Sequence, residues 1–221
     1  MLEITRQRDA FQILGKKLKA HFPCRNLNDS KGGSPLLGDG LVQTDSINVQ
    51  NRSITIPSAS MPQNVFTLAF WMKHNTSPTG GWDRPLLMRQ SRQPGMWLYD
   101  GNNALHMSTF LVDTQGGQHN CTPDNPSLPE SQVNPNVWVH VLYRFRYNPQ
   151  NGVSSMSQFI NGVKIGHSDY PYAPLAATTD LTISTWYPCS ISDIRTYGHY
   201  LTDIECGLVY AQSNKLKPVG S

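Results

Sequence analysis

Charge is scarce in this chain. Of its 221 residues only 15% are Asp, Glu, Lys or Arg, and only three are glutamate. So little charge beside 10% aromatics, 17 glycines and 16 prolines excludes a disordered polyelectrolyte and describes an ordered, turn-rich β protein. The formal net charge of +3 is too small to indicate nucleic acid by itself. Lys16, Lys17 and Lys19 form the single local basic cluster, which reads as a solvated face. Long apolar runs are absent too: none approaches the roughly 18 residues of a membrane-spanning helix. The first residues carry Glu3, Arg6, Arg8 and Asp9 in place of the apolar core of a secretory signal, so synthesis in a cytosol is the expectation. The four cysteines, Cys24, Cys121, Cys189 and Cys206, lie too far apart for a CxxC metal or redox motif. Reduced, mostly buried thiols are the default reading, and the spacing selects no pairing for a bridge. Sequons at Asn28, Asn51, Asn75 and Asn120 read as chance matches in an Asn-rich chain.

What is present is alternation. In "VWVHVLYRFRY" (137–147), Val137, Val139, Val141, Tyr143, Phe145 and Tyr147 fall on one face. Trp138, His140, Leu142, Arg144 and Arg146 fall on the other, which is the period of a β-strand. "VFTLAFWMKH" (65–74) puts Phe66, Leu68, Phe70 and Met72 on one side, and "SITIP" puts Ile54 and Ile56 together. In "QFINGVKIG" the strand pattern is interrupted by Asn161-Gly162, a pair that tolerates positive φ at both centres of a type I′ turn. A second hairpin is expected to turn at Asp100–Asn103, and "LTISTW" and "SISDIRTY" supply late strands. Residues 5–17 carry apolar positions at Ala10, Phe11, Leu14 and Leu18, a short helix weakened at Gly15. Thr202 with Glu205 three residues on is a capping box, so a short helix closes the domain. About ten to twelve short strands joined by loops indicate an all-β, two-sheet antiparallel sandwich or jelly roll.

The order of pieces resembles the laminin G-like domains of the concanavalin A-like lectin/glucanase superfamily. "LKAHFPC", "NDSKGG", "FTLAFWMK", "WVHVLYRF", "QFINGVKIG" and "SISDIRTYGHYLTDIECGLVY" follow one another as in that family, across residues 18–211. The resemblance implies two antiparallel sheets packed face to face, one of them curved. It leaves residues 1–17 as an N-terminal arm and 212–221 as a tail. Trp71, Trp138, Asp193 and Arg195 match the family's recurrent pattern and are expected to serve the fold.

Glycosidases of that superfamily need two carboxylates about 5–5.5 Å apart for retention or about 6.5–9.5 Å for inversion. Here Glu3 lies in the arm, Glu130 in a Pro-rich segment and Glu205 in a helix cap, and no strand carries two acids on one face. No G-x-S-x-G occurs, no H-x-x-x-H pair occurs, and His140 reads as a structural residue within a strand. No enzyme, cofactor or metal is therefore expected. Calcium at a loop rim, which the resemblance allows, finds Asp39, Asp83, Asp100, Asp113 and Asp124 but no D-x-D cluster.

Binding is the stronger expectation. A sugar site joins an aromatic platform to hydrogen-bonding amides and carboxylates. Loop 76–85 offers Trp82, Asp83 and Arg84; the hairpin tip offers Tyr99, Asp100, Asn102 and Asn103; segment 168–174 offers Tyr170 and Tyr172. The plainer reading is that these aromatics pin the loops down. A lectin-like fold made without an export signal also fits a structural or decoration component of a virion-like surface assembly, with other protein subunits as partners. On that reading Phe11, Ile13 and Leu14 of the arm are the expected assembly contacts, and adhesion to a surface glycan is the alternative function.

Overall fold

The structure, a computed structural model, describes residues 2–75, 86–98, 103–123, 132–183 and 188–218, with side chains from Asp9 onward. Two eight-stranded antiparallel sheets form a sandwich. The first contains β1 (Leu18–Phe22), β3 (Leu41–Val42), β4 (Ile47–Asn48), β6 (Val65–His74), β11 (Val139–Asn148), β12 (Val153–Ile160), β13 (Val163–Tyr170) and β16 (Cys189–Tyr197). Its order is β13-β12-β11-β6-β16-β4-β3, with β1 also on β16. The second contains β2 (Leu37–Gly38), β5 (Ile54–Ile56), β7 (Leu87–Met88), β8 (Gly95–Leu98), β9 (Leu105–Val112), β10 (Gln118–Cys121), β14 (Ala173–Pro174) and β15 (Leu181–Ile183). Its order is β10-β9-β8-β7-β15-β5-β2, with β14 on β9. Helix α1 (Leu2–Lys17) precedes the sandwich, and α2 (Asp203–Ser213) follows it. The expected two-sheet antiparallel architecture with a short closing helix is observed; the strands outnumber the expectation because several have only two residues.

The alternating patterns meet in the inter-sheet core. Val139, Val141, Tyr143 and Phe145 of β11 pack there with Phe66, Leu68, Phe70 and Met72 of β6, and with Ile54 and Ile56. Burial of each such side chain contributes about 1.5–3 kcal/mol. Val137 departs from the expected face: it precedes β11 and is exposed. Two polar side chains inside this layer reach across the sheets to a partner, as burial favours. Tyr143 Oη lies 2.8 Å from Thr109 Oγ1, and Gln158 Nε2 donates to Leu105 O at 3.2 Å.

Asn161 and Gly162 take φ of 49° and 82°, joining β12 to β13 in the expected tight turn. Both residues have a second duty. Asn161 Oδ1 accepts from the His140 amide at 3.0 Å, and its own amide donates to His140 O at 2.8 Å, which ties the turn to the start of β11. A Cβ on Gly162 would come within 2.6 Å of the Tyr210 ring, so glycine is what lets α2 close over the turn.

The opposite face of the first sheet is buried as well. Ala69, Leu142, Phe159 and Tyr197 pack with Leu201, Cys206 and Val209 beneath α2, and Leu14 of α1 joins them. Arg144, sandwiched between Phe159 (5.0 Å) and Tyr200 (4.3 Å), donates to Leu201 O and to Asp203 Oδ1. Lys17 pairs with Glu205, whose carboxylate also completes the capping box with Thr202. This corrects the arm in part. Leu14 is only 1% exposed, so it is a contact within the chain and not one offered to a partner; Phe11 is half-buried and Ile13 is 52% exposed. The helix also begins earlier than residue 5. The tail boundary at 211 is corrected too. Helix α2 runs to Ser213, a 3-10 turn spans Asn214–Leu216, and Pro218 is buried.

One buried carboxylate organises this face. Asp193, 1% exposed, sits at a bulge in β16 with φ of 48°, a conformation Asp tolerates better than most residues. Its Oδ1 lies 2.6 Å from His21 Nε2 on β1 and 3.1 Å from Arg195 Nε. Its Oδ2 accepts from Ser213 Oγ at the end of α2. Ser213 O in turn accepts from Trp71 Nε1 at 3.1 Å, and Arg195 donates to Gln212 Oε1 at 3.0 Å. Asp193 and Arg195, both expected to serve the fold, are thus the centre of a wider network. Burial pushes the Asp193 pKa up, but the His21 hydrogen bond, the Arg195 charge and the Ser213 hydroxyl together outweigh it and hold it below the usual carboxylate value.

All four cysteines are free and buried. Burial raises Cys24, Cys189 and Cys206 to about 12 and Cys121 to about 11, which keeps them protonated and unreactive.

Two outcomes follow. Asp193→Asn keeps shape and backbone preference but strips the charge that balances Arg195; chemical denaturation should show a loss of about 3–5 kcal/mol, and a loss below about 1 kcal/mol would mean the network is not a keystone. His140, 1% exposed, has neither ring nitrogen hydrogen-bonded among the described residues, and burial first, then Arg195, drives its pKa to about 3 against the opposing pull of Asp193. The unfolded chain therefore binds a proton below 6.5 that the native state refuses until about 3. Stability present above that window falls as pH drops through it, by about 1.4 kcal/mol per pH unit. Melting temperatures of His140→Phe between neutral and acid pH should decline less steeply than those of the parent; identical slopes would remove His140 as the cause.

Candidate functional site

The residue types of an acyl-transfer relay do come together, although the sequence carries no local signature for one. Ser30 Oγ lies 3.0 Å from His21 Nδ1, and His21 Nε2 lies 2.6 Å from Asp193. An oxyanion hole needs free donors beside the nucleophile. The nearest amides are engaged: Ser30 N donates to His21 O (2.8 Å), Gly32 N to Asp29 O (3.0 Å), and Lys31 N and Gly33 N to the Asp29 carboxylate (2.9 and 3.1 Å). The arrangement is a brace for the "NDSKGG" loop. Ser157, His167 and Asp169 repeat the residue types at the sheet margin, but Ser157 is fully buried and shares its hydroxyl with Tyr200 at 3.0 Å. Among the described residues no cluster of His, Cys, Asp or Glu could hold a metal ion.

Of the expected glycan rim, Trp82, Asp83, Arg84, Tyr99, Asp100 and Asn102 lie outside the described residues. Asn103 is half-buried at φ 55°, and its carbonyl accepts from the Val133 amide. Tyr170 and Tyr172 are both partly buried. They belong to β13 and to the segment entering β14, and both pack on the inter-sheet core. Tyr170 Oη donates to Thr122 O at 2.9 Å, and Tyr172 stacks on His119 at 4.2 Å with rings 5° apart. These tyrosines do fasten loops.

A groove of about 710 Å³ opens elsewhere, on the outer face of the second sheet. Its floor follows from register and period 2. Thr55, Thr182 and Met88 lie side by side across β5, β15 and β7, pointing away from the core that their neighbours Ile54, Ile183 and Leu87 fill, and the same row continues beside the groove through Gly95 of β8 and Ser108 of β9. One wall is the turn Gln90–Arg92; the other is Thr179 and Asp180. The walls are laced together. Arg89 Nε donates to Thr179 O (2.8 Å), Gln93 Nε2 to Leu175 O (2.5 Å), and Gln90 Oε1 accepts from the Thr178 amide (3.3 Å). Asp180 Oδ1 accepts from the Ser58 amide at 2.7 Å. Burial lowers the pKa of Arg89, and Asp180 counters it.

Gly95 makes room beside the groove. A Cβ there would lie 2.5 Å from the Trp97 ring and 3.2 Å from Arg92 Cβ, so the missing side chain is what admits both. The Arg92 guanidinium stands 4.8 Å from the Trp97 ring centre and 4.4 Å from that of Phe110. None of Thr55, Arg92, Phe110 and Asp180 was singled out by sequence reasoning. They come from four separated segments, and the one faint signal is Gly95-x-Trp97, which places glycine and tryptophan on one strand face.

The family profile described as the concanavalin A-like lectin/glucanases superfamily, of laminin G type, matches residues 48–205. No curated protein matches by sequence. Among solved structures, the binding domain of Paraclostridial Mosquitocidal Protein 1 superposes with a TM-score of 0.63 at 14% identity, covering 90% of this chain and 53% of that one. The receptor binding domain of botulinum neurotoxin mosaic serotype C/D gives 0.65 at 13% identity, with 90% and 51% covered. Trypanosoma rangeli sialidase gives 0.61 at 12% identity, with 92% and 34% covered. The chain therefore spans about half the length of the first two and a third of the last, and at these identities the likeness is one of fold. By the profile match over most of its length, with the fold to accompany it, the chain belongs to the laminin G-like branch of the concanavalin A-like lectin/glucanase superfamily.

Proposed function

We propose that this chain is a non-enzymatic, lectin-like module that binds a saccharide in the groove on the outer face of its second sheet. The observation that carries the reading is the pairing, in one open groove, of Phe110 and the Arg92 guanidinium held over it (with buried Trp97 behind them) with hydroxyl, amide and carboxylate hydrogen bonders. A sugar ring needs both: a planar partner for its C–H face and directional partners for its hydroxyls. The two neighbours named as binding domains support it as analogies of fold. Against hydrolysis stands the lining, whose one carboxylate among the described residues, Asp180, is already held by the Ser58 amide, whereas glycosidic cleavage uses two.

An assembly role is a second proposal. Leu37, Leu41 and Val42 are 52%, 53% and 38% exposed on the outermost strands of the two sheets, an apolar edge suited to a protein neighbour. Concentration-dependent species in sedimentation that disappear in Leu41→Lys would support it; a monomer throughout would count against it. A virion-like particle is one setting for such contacts.

The saccharide reading is tested by glycan-array screening and calorimetry on the full chain. Specific binding should fall about 10-fold or more in Phe110→Ala and Thr182→Arg, with the melting temperature of Thr182→Arg close to the parent's. Absence of binding to any glycan, or binding untouched by both changes, would overturn it.

A further inference from the structure

Resting on the saccharide reading, we infer that the groove is selective for acidic saccharides and that Arg92 is the residue that reads the anion. The charges in the lining do not cancel. Arg89 is 2% exposed, its Nε and Nη1 donate to Thr179 O and Pro62 O, and its charge is set against Asp180. Among the described residues of the lining, that leaves the Arg92 guanidinium without a countercharge.

Arg92 is also under-used. A guanidinium has five N–H donors in a fixed fork. Among the described residues its single hydrogen bond is a long one, 3.4 Å from Nη1 to Asn120 Oδ1. Its position is nevertheless tightly specified. The aromatic planes of Trp97 and Phe110 hold it from one side, and bare Gly95 gives the space for that stack. The backbone is specified too: Ser91 and Arg92 are consecutive non-glycine residues at φ 57° and 50°, a region that costs energy and recurs at ligand clamps. The two ring contacts hold the guanidinium in place without using its N–H donors, which suit a planar or tetrahedral oxyanion. Partial burial, which lowers its pKa, strengthens any charge pairing it makes. Carboxylate of a uronic or sialic acid and sulfate of a sulfated sugar share this chemistry.

The probes are acidic glycans, each beside its neutral counterpart: uronic acid and sialic acid oligosaccharides against their carboxyl-reduced forms, and sulfated ones against desulfated forms. On the full-length chain the acidic member should bind about 10–100-fold tighter, with the advantage shrinking as salt rises. The pair that shows the difference identifies carboxylate or sulfate as the source, and either supports the inference. Arg92→Gln should abolish the preference, and Arg92→Lys should restore only part of it because the fork is lost; near-ultraviolet circular dichroism checks that both are folded. Equal affinity within every pair would overturn the acidic selectivity and leave the saccharide reading standing. A preference that survives Arg92→Gln would overturn the role of Arg92. No binding to either member of any pair would overturn both. The comparison of glycan pairs uses the unaltered protein, so it decides even if the variants are unstable.

Discussion

A single buried carboxylate governs how this sandwich is closed. Asp193 occupies the bulge at which one edge of β16 passes from β4, paired at Ser190 and Ile191, to β1, paired from Ile194 onward. A buried charge is costly unless paired and hydrogen-bonded. Asp193 is satisfied by His21 from β1, Arg195 from its own strand and Ser213 from α2, and so it binds the first strand and last helix to the middle of the sheet. The carbonyl of Ser213 takes up the indole N–H of Trp71, which extends the same network to β6.

That closure decides where a ligand can go. With α2 and Leu14 of α1 packed on it, the outer face of the first sheet is a second small core, and the inner faces of both sheets form the main one. The outer face of the second sheet stays open over the row Thr55, Thr182 and Met88. Threonines on the solvent side and Ile54, Ile56, Leu181 and Ile183 on the core side are the two outputs of one period-2 pattern. The lacing of Gln90 and Arg89 to residues 178 and 179 then makes a rigid wall from what would otherwise be two loops. A preorganised groove of this kind spends little ordering entropy on binding.

Sequence reasoning reached the elements whose signals are local. The alternation in 139–145, the Asn161-Gly162 turn and the Thr202–Glu205 capping box each depend on residues within one element, and each is observed. The ordered motifs gave the superfamily for the same reason. Two-residue strands such as β2, β3 and β7 carry too few positions to show any period. The end of α2 has no glycine or proline until Pro218, so nothing local marked residue 211 as too early. Helical periodicity identified Leu14 as apolar but could not say whether its cover came from this chain or another. The groove was illegible because its residues converge only through the β5–β15–β7–β8–β9 order, which pairs strands far apart in sequence. The aromatics at 170 and 172, in contrast, read as a sugar platform or as packing, because an aromatic near a loop serves both purposes equally well, and the structure shows their packing contacts.

The central claim is that the ligand surface of this module is the outer face of the second sheet and not a rim of loops. Chemical-shift mapping with an isotopically labelled chain and a saccharide that it binds addresses this directly. The account predicts that the largest amide and methyl perturbations fall on Thr55, Met88, Gln90 to Arg92, Thr179 and Thr182, with the first sheet silent. Perturbations centred instead on residues 76–85 and 99–103, with Thr55 and Thr182 unmoved, would contradict it.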